Sequence, residues 1–170
     1  SKVENAENLM YVGGNLNESD IKTHRGVFRG RIDDSKVDSQ IVIALGDVYG
    51  SEFEDTTVFR AINDIEASTV ESADRIFYVG GTAKETDVGY ARVSITGGAD
   101  GLDIDDGMRY VGRGENRNLE YGSNRSDVAF VYGSVFEDSV IHGKYINRFI
   151  AGQTDKTQIV GREGIGVGVI

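Results

Sequence analysis

Apolar and polar residues alternate with a period of two along most of the chain. Ala91, Val93 and Ile95 alternate with polar neighbours, and Ile165 and Val167 stand between glycines. This period indicates β-strands, because successive side chains of a strand point to opposite faces. The alternation predicts strands near 8–14, 25–32, 40–46, 74–80, 89–96, 108–113, 127–136, 138–145, 147–151 and 163–169.

One segment has a different period. Val58, Ile62 and Ile65 stand at i, i+4 and i+7 within 56–67. Apolar residues at this spacing share one face of a helix, so the segment predicts a short amphipathic helix near 56–67. A short strand is the alternative, since short apolar runs fit both structures.

The spacing of the predicted strands indicates the class of fold. They recur about every 8–12 residues with polar turns between them, and they do not alternate strictly with helices. We therefore expect a single, mainly β domain over residues 1–170. Its expected form is an antiparallel meander barrel of about eight or more strands, or a sandwich.

A short motif recurs within this pattern. Tyr-Val-Gly-Gly at 11–14 returns at 78–81, and Tyr-Val-Gly stands at 110–112. The copies lie 67 and 32 residues apart, which is not a regular solenoid period. We interpret them as recurring hairpins in which the glycines permit a turn.

The glycine-aromatic segments resemble a known family. Residues 77–85 read Phe-Tyr-Val-Gly-Gly-Thr-Ala-Lys-Glu, and similar patterns follow at 110–130 and 149–170, where 128–130 read Val-Ala-Phe and not the family's Val-Asp-Phe. These segments resemble hairpins of transferrin-binding protein B and factor H-binding protein, surface lipoprotein barrels of Gram-negative bacteria. The resemblance implies a barrel on the bacterial cell surface, or secreted, that captures a host protein or a haem or iron source. It transfers no binding residue, because recognition in that family lies in variable loops.

Composition narrows the classes of partner. The net charge of −10 argues against nucleic acid, whose phosphates require a cationic face. We interpret Arg25, Arg29 and Arg31, the nearest approach to a basic stripe, as a solvated strand face. No apolar run approaches the roughly 18 residues of a transmembrane helix, and no signal peptide is visible at the start of the sequence. The chain has no cysteine, which excludes disulfides and thiolate chemistry.

Two cofactors deserve consideration. Asp100, Asp103 and Asp105 lie in a glycine-punctuated acidic segment and supply the hard oxygen ligands that calcium requires. A solvated turn explains the same residues. Haem ligation by His24, His142 or a tyrosine is chemically feasible, although strand histidines more often face solvent. We otherwise expect no cofactor.

The sequence contains no recognisable catalytic constellation, such as a nucleophile elbow or a triad context for either histidine. We therefore expect a non-catalytic module that binds a protein through polar loops, with Arg113, Asn116, Arg117 and Tyr121 as the first candidate contacts. One alternative is a carrier barrel for haem or another small apolar ligand. A structural subunit of a larger surface or phage assembly is the other.

Overall fold

The computed structural model describes residues 1–123 and 129–169, and every regular element in these ranges is a β-strand. The strands form one 20-stranded sheet that coils into a parallel β-solenoid of about 9 turns. In chain order the strands are β1 Lys2–Val12, β2 Leu16–Asn17, β3 Asp20–Phe28, β4 Ile32–Asp33, β5 Lys36–Asp38, β6 Ile41–Ala44, β7 Val48–Tyr49, β8 Glu52–Glu54, β9 Val58–Ala61, β10 Ile65–Glu66, β11 Thr69–Val79, β12 Thr82–Lys84, β13 Asp87–Ile95, β14 Gly98–Asp100, β15 Asp103–Ile104, β16 Arg109–Arg117, β17 Glu120–Ser123, β18 Ala129–Glu137, β19 Val140–Asp155 and β20 Gln158–Val169.

Each turn of the solenoid contributes one rung to each of three stacks of strands. Ile32 pairs with Val48, 16 residues further along the chain, and Val48 pairs with Ile65 in the next turn. Side A comprises 20–22, 36–38, 52–54, 69–71, 87–89, 103–105, 120–123, 140–143 and 158–161, with 2–5 at its start. Side B comprises 9–12, 25–28, 41–44, 58–61, 76–79, 92–95, 109–112, 130–133 and 148–151, with 167–169 at its end. Side C comprises 16–17, 32–33, 48–49, 65–66, 82–84, 98–100, 115–117, 135–137 and 153–155.

The predicted antiparallel barrel or sandwich is therefore wrong, and so are the predicted hairpins. The strand positions follow the period-two alternation, but every ladder between them is parallel. A hairpin reverses the chain, whereas each corner of this solenoid only bends it, so the chain returns to the same side one turn later. Alternation of inward and outward residues is common to both arrangements and does not distinguish them.

The corner between side C and side A bends at one residue in the left-handed region. Asp34 has φ of 44°, and the equivalent residue one turn later is Gly50 with φ of 57°. A serine follows each of them, Ser35 and Ser51, and both serines are buried. The sequence therefore marks this corner with a bending residue and then a small hydroxyl residue.

These corner serines bond successive turns to each other. The amide of Ser35 donates to Oγ of Ser51, 3.1 Å away, and the amide of Ser51 donates to Oγ of Ser68 at the same distance. Each Oγ in turn donates to a carbonyl two residues earlier, as Ser51 does to Tyr49 at 2.9 Å. The hydroxyl thus satisfies the backbone where the bend interrupts the regular ladder.

Glycine is required at the corner between sides B and C. A Cβ on Gly46 would lie 2.5 Å from the carbonyl oxygen of Gly30, and one on Gly114 would lie 2.2 Å from that of Gly97. Successive turns approach each other at this corner more closely than any side chain allows. The corner accounts for several of the chain's 23 glycines.

The interior is filled by inward side chains from all three sides. Phe59 is fully buried, with its ring 4.7 Å from Phe53 and 5.3 Å from Phe77, onto which it stacks. Glycines make room for rings elsewhere, since a Cβ on Gly133 would lie 2.5 Å from the ring of Phe136. The glycine-aromatic pattern thus packs the interior of a solenoid, which has no lumen like that of the expected carrier barrel.

The predicted helix at 56–67 is wrong, because this segment holds β9 and β10 and the corner between them. Ile65 is buried on side C, Ile62 is exposed at the corner, and Val58 faces outward on side B. Three residues that would share one face of a helix therefore lie in three different settings.

The Tyr-Val-Gly-Gly repeat reflects the solenoid period after all. Tyr11 and Tyr78 occupy the same outward position of side B, four turns apart. Tyr110 lies one residue before the equivalent position, which is held by Val111. That shift of one residue sends Tyr110 into the interior, where it is fully buried.

Candidate functional site

The outer surface of side B has a composition unlike the rest of the molecule. Ladder register and burial identify its outward positions from the first rung to the ninth. They are Leu9, Tyr11, Arg25, Val27, Ile41, Ile43, Val58, Arg60, Ile76, Tyr78, Arg92, Ser94, Arg109, Val111, Phe130, Tyr132, Arg148 and Ile150. None of these residues is acidic, although the chain holds 28 aspartates and glutamates.

Arginines and aromatic rings pack against each other on this surface. The guanidinium carbon of Arg60 lies 5.2 Å from the ring centroid of Tyr78, its ladder partner. Arg109 lies 5.7 Å from the ring of Phe130, again its ladder partner. Such cation–π contacts hold the planar groups together and leave the guanidinium donors available to a ligand.

The arginines recur along the axis at short intervals. Arg25, Arg60, Arg92, Arg109 and Arg148 stand on the second, fourth, sixth, seventh and ninth rungs. With rungs about 4.8 Å apart, two rungs span roughly 10 Å and the nine rungs nearly 40 Å. Four-residue strands make the face only about 13 Å wide. Side B is therefore a long, narrow strip of regularly placed positive charge.

Sides A and C balance their charges differently. On side A, Lys22 pairs with Asp38 at 2.9 Å and Lys36 with Glu54 at 2.6 Å. Side C pairs Lys84 with Glu66 at 2.9 Å. Among the residues that the structure describes, no carboxylate forms an ion pair with an outward arginine of side B.

Four arginines surround a depression at the middle of side B. Arg75, Arg92, Arg109 and Arg113 line it together with apolar side chains and Ser94, and its volume is about 320 Å³. Arg92 and Arg109 are directly opposite each other in adjacent strands. Like charges in that position repel, so the arrangement costs stability in the absence of a counter-charge.

The structure does not bring the four predicted partner-binding residues together in a loop. Arg113 lies at the end of side B and lines the depression. Arg117 is on side C, where it pairs with Glu137 at 3.1 Å and with Glu115 at 3.0 Å. Residues 109–117 and 120–123 are strands, and the rest of the predicted loop, 124–126, lies outside the described residues.

The other two candidates are inside the solenoid. Asn116 is fully buried, accepts a hydrogen bond from the Tyr110 hydroxyl and donates to the carbonyl of Val135 at 2.7 Å. Tyr121 is also fully buried, and burial, followed by the nearby charge of Asp106, raises the pKa of its hydroxyl. Asn116 and Tyr121 therefore hold up the interior under the arginine strip.

The three predicted calcium ligands lie on two sides of the molecule. Asp100 is on side C and accepts a hydrogen bond from the Asn118 side chain at 2.9 Å, whereas Asp103 and Asp105 lie on side A. The bend at Gly101 separates the two sides. Over the described ranges, no three histidine or acidic side chains form a group that could hold a metal ion.

Asp103 instead belongs to an acidic ladder. Its pKa is raised by partial burial first, and then by the charges of Glu120, Asp87 and Asp105, while His142 acts in the opposite direction. His142 is exposed on side A, so the structure gives it electrostatic surroundings without testing the haem hypothesis.

Sequence reasoning missed side B as a unit because its residues are about 16 to 18 positions apart. The stripe of Arg25, Arg29 and Arg31 is not continuous in space, since Arg25 is on side B while Arg31 pairs with Asp33 at 2.6 Å. Aligning the chain on the corner serines would have revealed the strip, because that alignment superposes its outward positions.

No protein-family model matches the chain, and comparisons with curated proteins and with solved structures found no match either. Nothing in these comparisons bears on the resemblance to transferrin-binding protein B, and the barrel that it implied is replaced by a solenoid. In the described ranges, no helix is long and apolar enough to cross a membrane.

Proposed function

We propose that this chain is a non-catalytic binding module of a bacterial surface or secreted protein, and that side B binds a linear anionic polysaccharide. The observation that carries this proposal is the row of side-B arginines without carboxylate partners in a chain of net charge −10. Such a concentration of one charge on one face attracts ligands of the opposite charge.

The spacing of the strip suits a polymer. Arginines on alternate rungs are separated by roughly 10 Å, which is comparable to the repeat of a disaccharide in an extended polysaccharide. Aromatic and aliphatic side chains such as Tyr78 and Phe130 lie between them and present flat surfaces to sugar rings.

The width of the strip argues against larger anions. A nucleic acid duplex is wider than the roughly 13 Å of side B and would overlap the acidic flanks on sides A and C. A single polysaccharide chain stays within the strip. Capture of a host protein remains a prediction, and it would use the same exposed residues.

The test is binding to immobilised polysaccharides of different charge. Wild-type protein should bind heparin or dextran sulfate and not neutral dextran. The double variant Arg92→Gln/Arg109→Gln should bind about tenfold or more weakly. Its control, Arg31→Gln/Arg117→Gln, removes two exposed arginines from side C and changes net charge equally.

Equal losses in the two double variants would contradict the proposal, because they would show a response to net charge alone. Binding to anionic lipid vesicles without binding to any anionic polysaccharide would also contradict it. Self-association that depends on Arg92 and Arg109, again without polysaccharide binding, would assign side B to assembly.

A further inference from the structure

Among the guanidinium groups of side B, those around the central depression form a distinct group. Arg92 and Arg109 come from adjacent rungs, Arg75 precedes the rung before them, and Arg113 follows the strand of Arg109. They therefore approach one point from both ends of neighbouring strands.

None of the four has a carboxylate partner among the described residues, whereas Arg31 and Arg117 on side C do. Asp74 is the nearest acid in sequence, and its buried Oδ1 has no hydrogen-bond partner. Arg92 faces Arg109 across the ladder, where repulsion between like charges is strongest.

A bound anion would remove that repulsion. Each guanidinium offers five donors in a planar fork, which matches the oxygens of a sulfate or phosphate group. A sulfate or phosphate ester leaves three oxygens to accept these donors, whereas a carboxylate offers two. Ser94 adds a hydroxyl donor on the same surface.

We propose that this depression is a selective site for a sulfate or phosphate group. The inference rests on the proposed function, since it assigns the tightest contact of the strip to an ester group on the bound polymer. It implies that sulfated polysaccharides bind more tightly than polyuronates of equal charge density.

The experiment follows the side-chain Nε–Hε resonances of the arginines by NMR during titration with sodium sulfate, inorganic phosphate and sodium acetate at matched ionic strength. Resonances of the four arginines should shift and saturate with sulfate or phosphate, and not with acetate. In Arg92→Gln/Arg109→Gln the remaining two should respond about tenfold more weakly. In Arg31→Gln/Arg117→Gln all four should respond as in the wild type.

Shifts that are equal for all arginines, or that follow ionic strength regardless of the anion, would overturn the site. Binding of dextran sulfate and of a polyuronate is then compared in the same variants. Saturable sulfate binding without any polymer binding would keep the site and refute the polysaccharide function. Equal binding of both polymers, with no saturable sulfate shift, would keep the function and refute the site. Comparison of a sulfated with a phosphorylated polysaccharide separates the two ester groups.

Discussion

Side A and side B stack at the same spacing and send alternate side chains into one interior, yet only side A carries carboxylates on its outer surface. On side A, Lys22 and Lys36 pair with acids one turn away, so much of the charge is balanced within the protein. On side B, Arg92 stands opposite another arginine. Because the scaffold is shared, folding alone does not explain this difference, and a ligand does.

The scaffold half of this comparison can be broken at a single strand. Phe77 points into the interior and Tyr78, its neighbour, points out of side B. Phe77→Ala should lower the free energy of unfolding by about 3–5 kcal/mol, because it removes a buried stacked ring. Tyr78→Ala should cost less than about 1 kcal/mol. Urea unfolding measures both, and similar losses would mean that the register of side B is wrong.

The close approach of turns beside side B gives the next largest effect. A Cβ on Gly46 meets the Gly30 carbonyl oxygen, so Gly46→Ala should cost about 1–3 kcal/mol through overpacking. Gly14 precedes the equivalent corner in the first turns, and a Cβ there has no atom within 4 Å. Gly14→Ala is therefore the matched control and should leave the unfolding midpoint unchanged. Loss of stability in both variants would point to backbone conformation and not to contact between turns.

The exterior half of the comparison can be broken by adding the charge that side B lacks. Ser94→Asp places a carboxylate within the arginine depression and should weaken binding of dextran sulfate by about tenfold, or roughly 1.4 kcal/mol. Thr69→Asp adds the same charge to the outer surface of side A and should leave binding unchanged. Calorimetric titration compares the two variants. A loss in the side-A variant equal to that of Ser94→Asp would refute the location of the site.

The smallest effect concerns repulsion on side A. The pKa of Asp103 is raised in the folded protein, so its ionised form disfavours folding, and this penalty is present in full above the folded pKa. Asp103→Asn should therefore stabilise the protein slightly at neutral pH. The difference should shrink as pH falls through the folded pKa towards about 4, where the unfolded carboxyl also protonates. Unfolding curves at several pH values measure it, and a difference that grew on acidification would have the wrong sign.

The strands could be predicted from the sequence and their pairing could not. Period-two alternation places Val93 and Ile95 in the interior whether the neighbouring strand runs parallel or antiparallel. The discriminating signal lay at the corners, where Ser35, Ser51 and Ser68 recur at intervals close to one turn. Read as ordinary turns, these residues suggested hairpins.

The candidate site could not be predicted because it exists only after the turns are stacked. Arg75, Arg92 and Arg109 are about 17 residues apart in sequence and come together on three successive rungs. Tyr121 illustrates the converse, since its chemistry suited an exposed contact but the side chain is fully buried. Residue type alone therefore misleads wherever the direction of a side chain depends on register.

The most direct test of the polysaccharide-binding role of side B is to map backbone amide shifts while an unlabelled heparin oligosaccharide is added. The account predicts that the perturbed amides follow side B along its length, strongest around Arg92 and Arg109, while sides A and C remain unchanged. Perturbations centred on side A or side C, or no saturable perturbation at all, would contradict it.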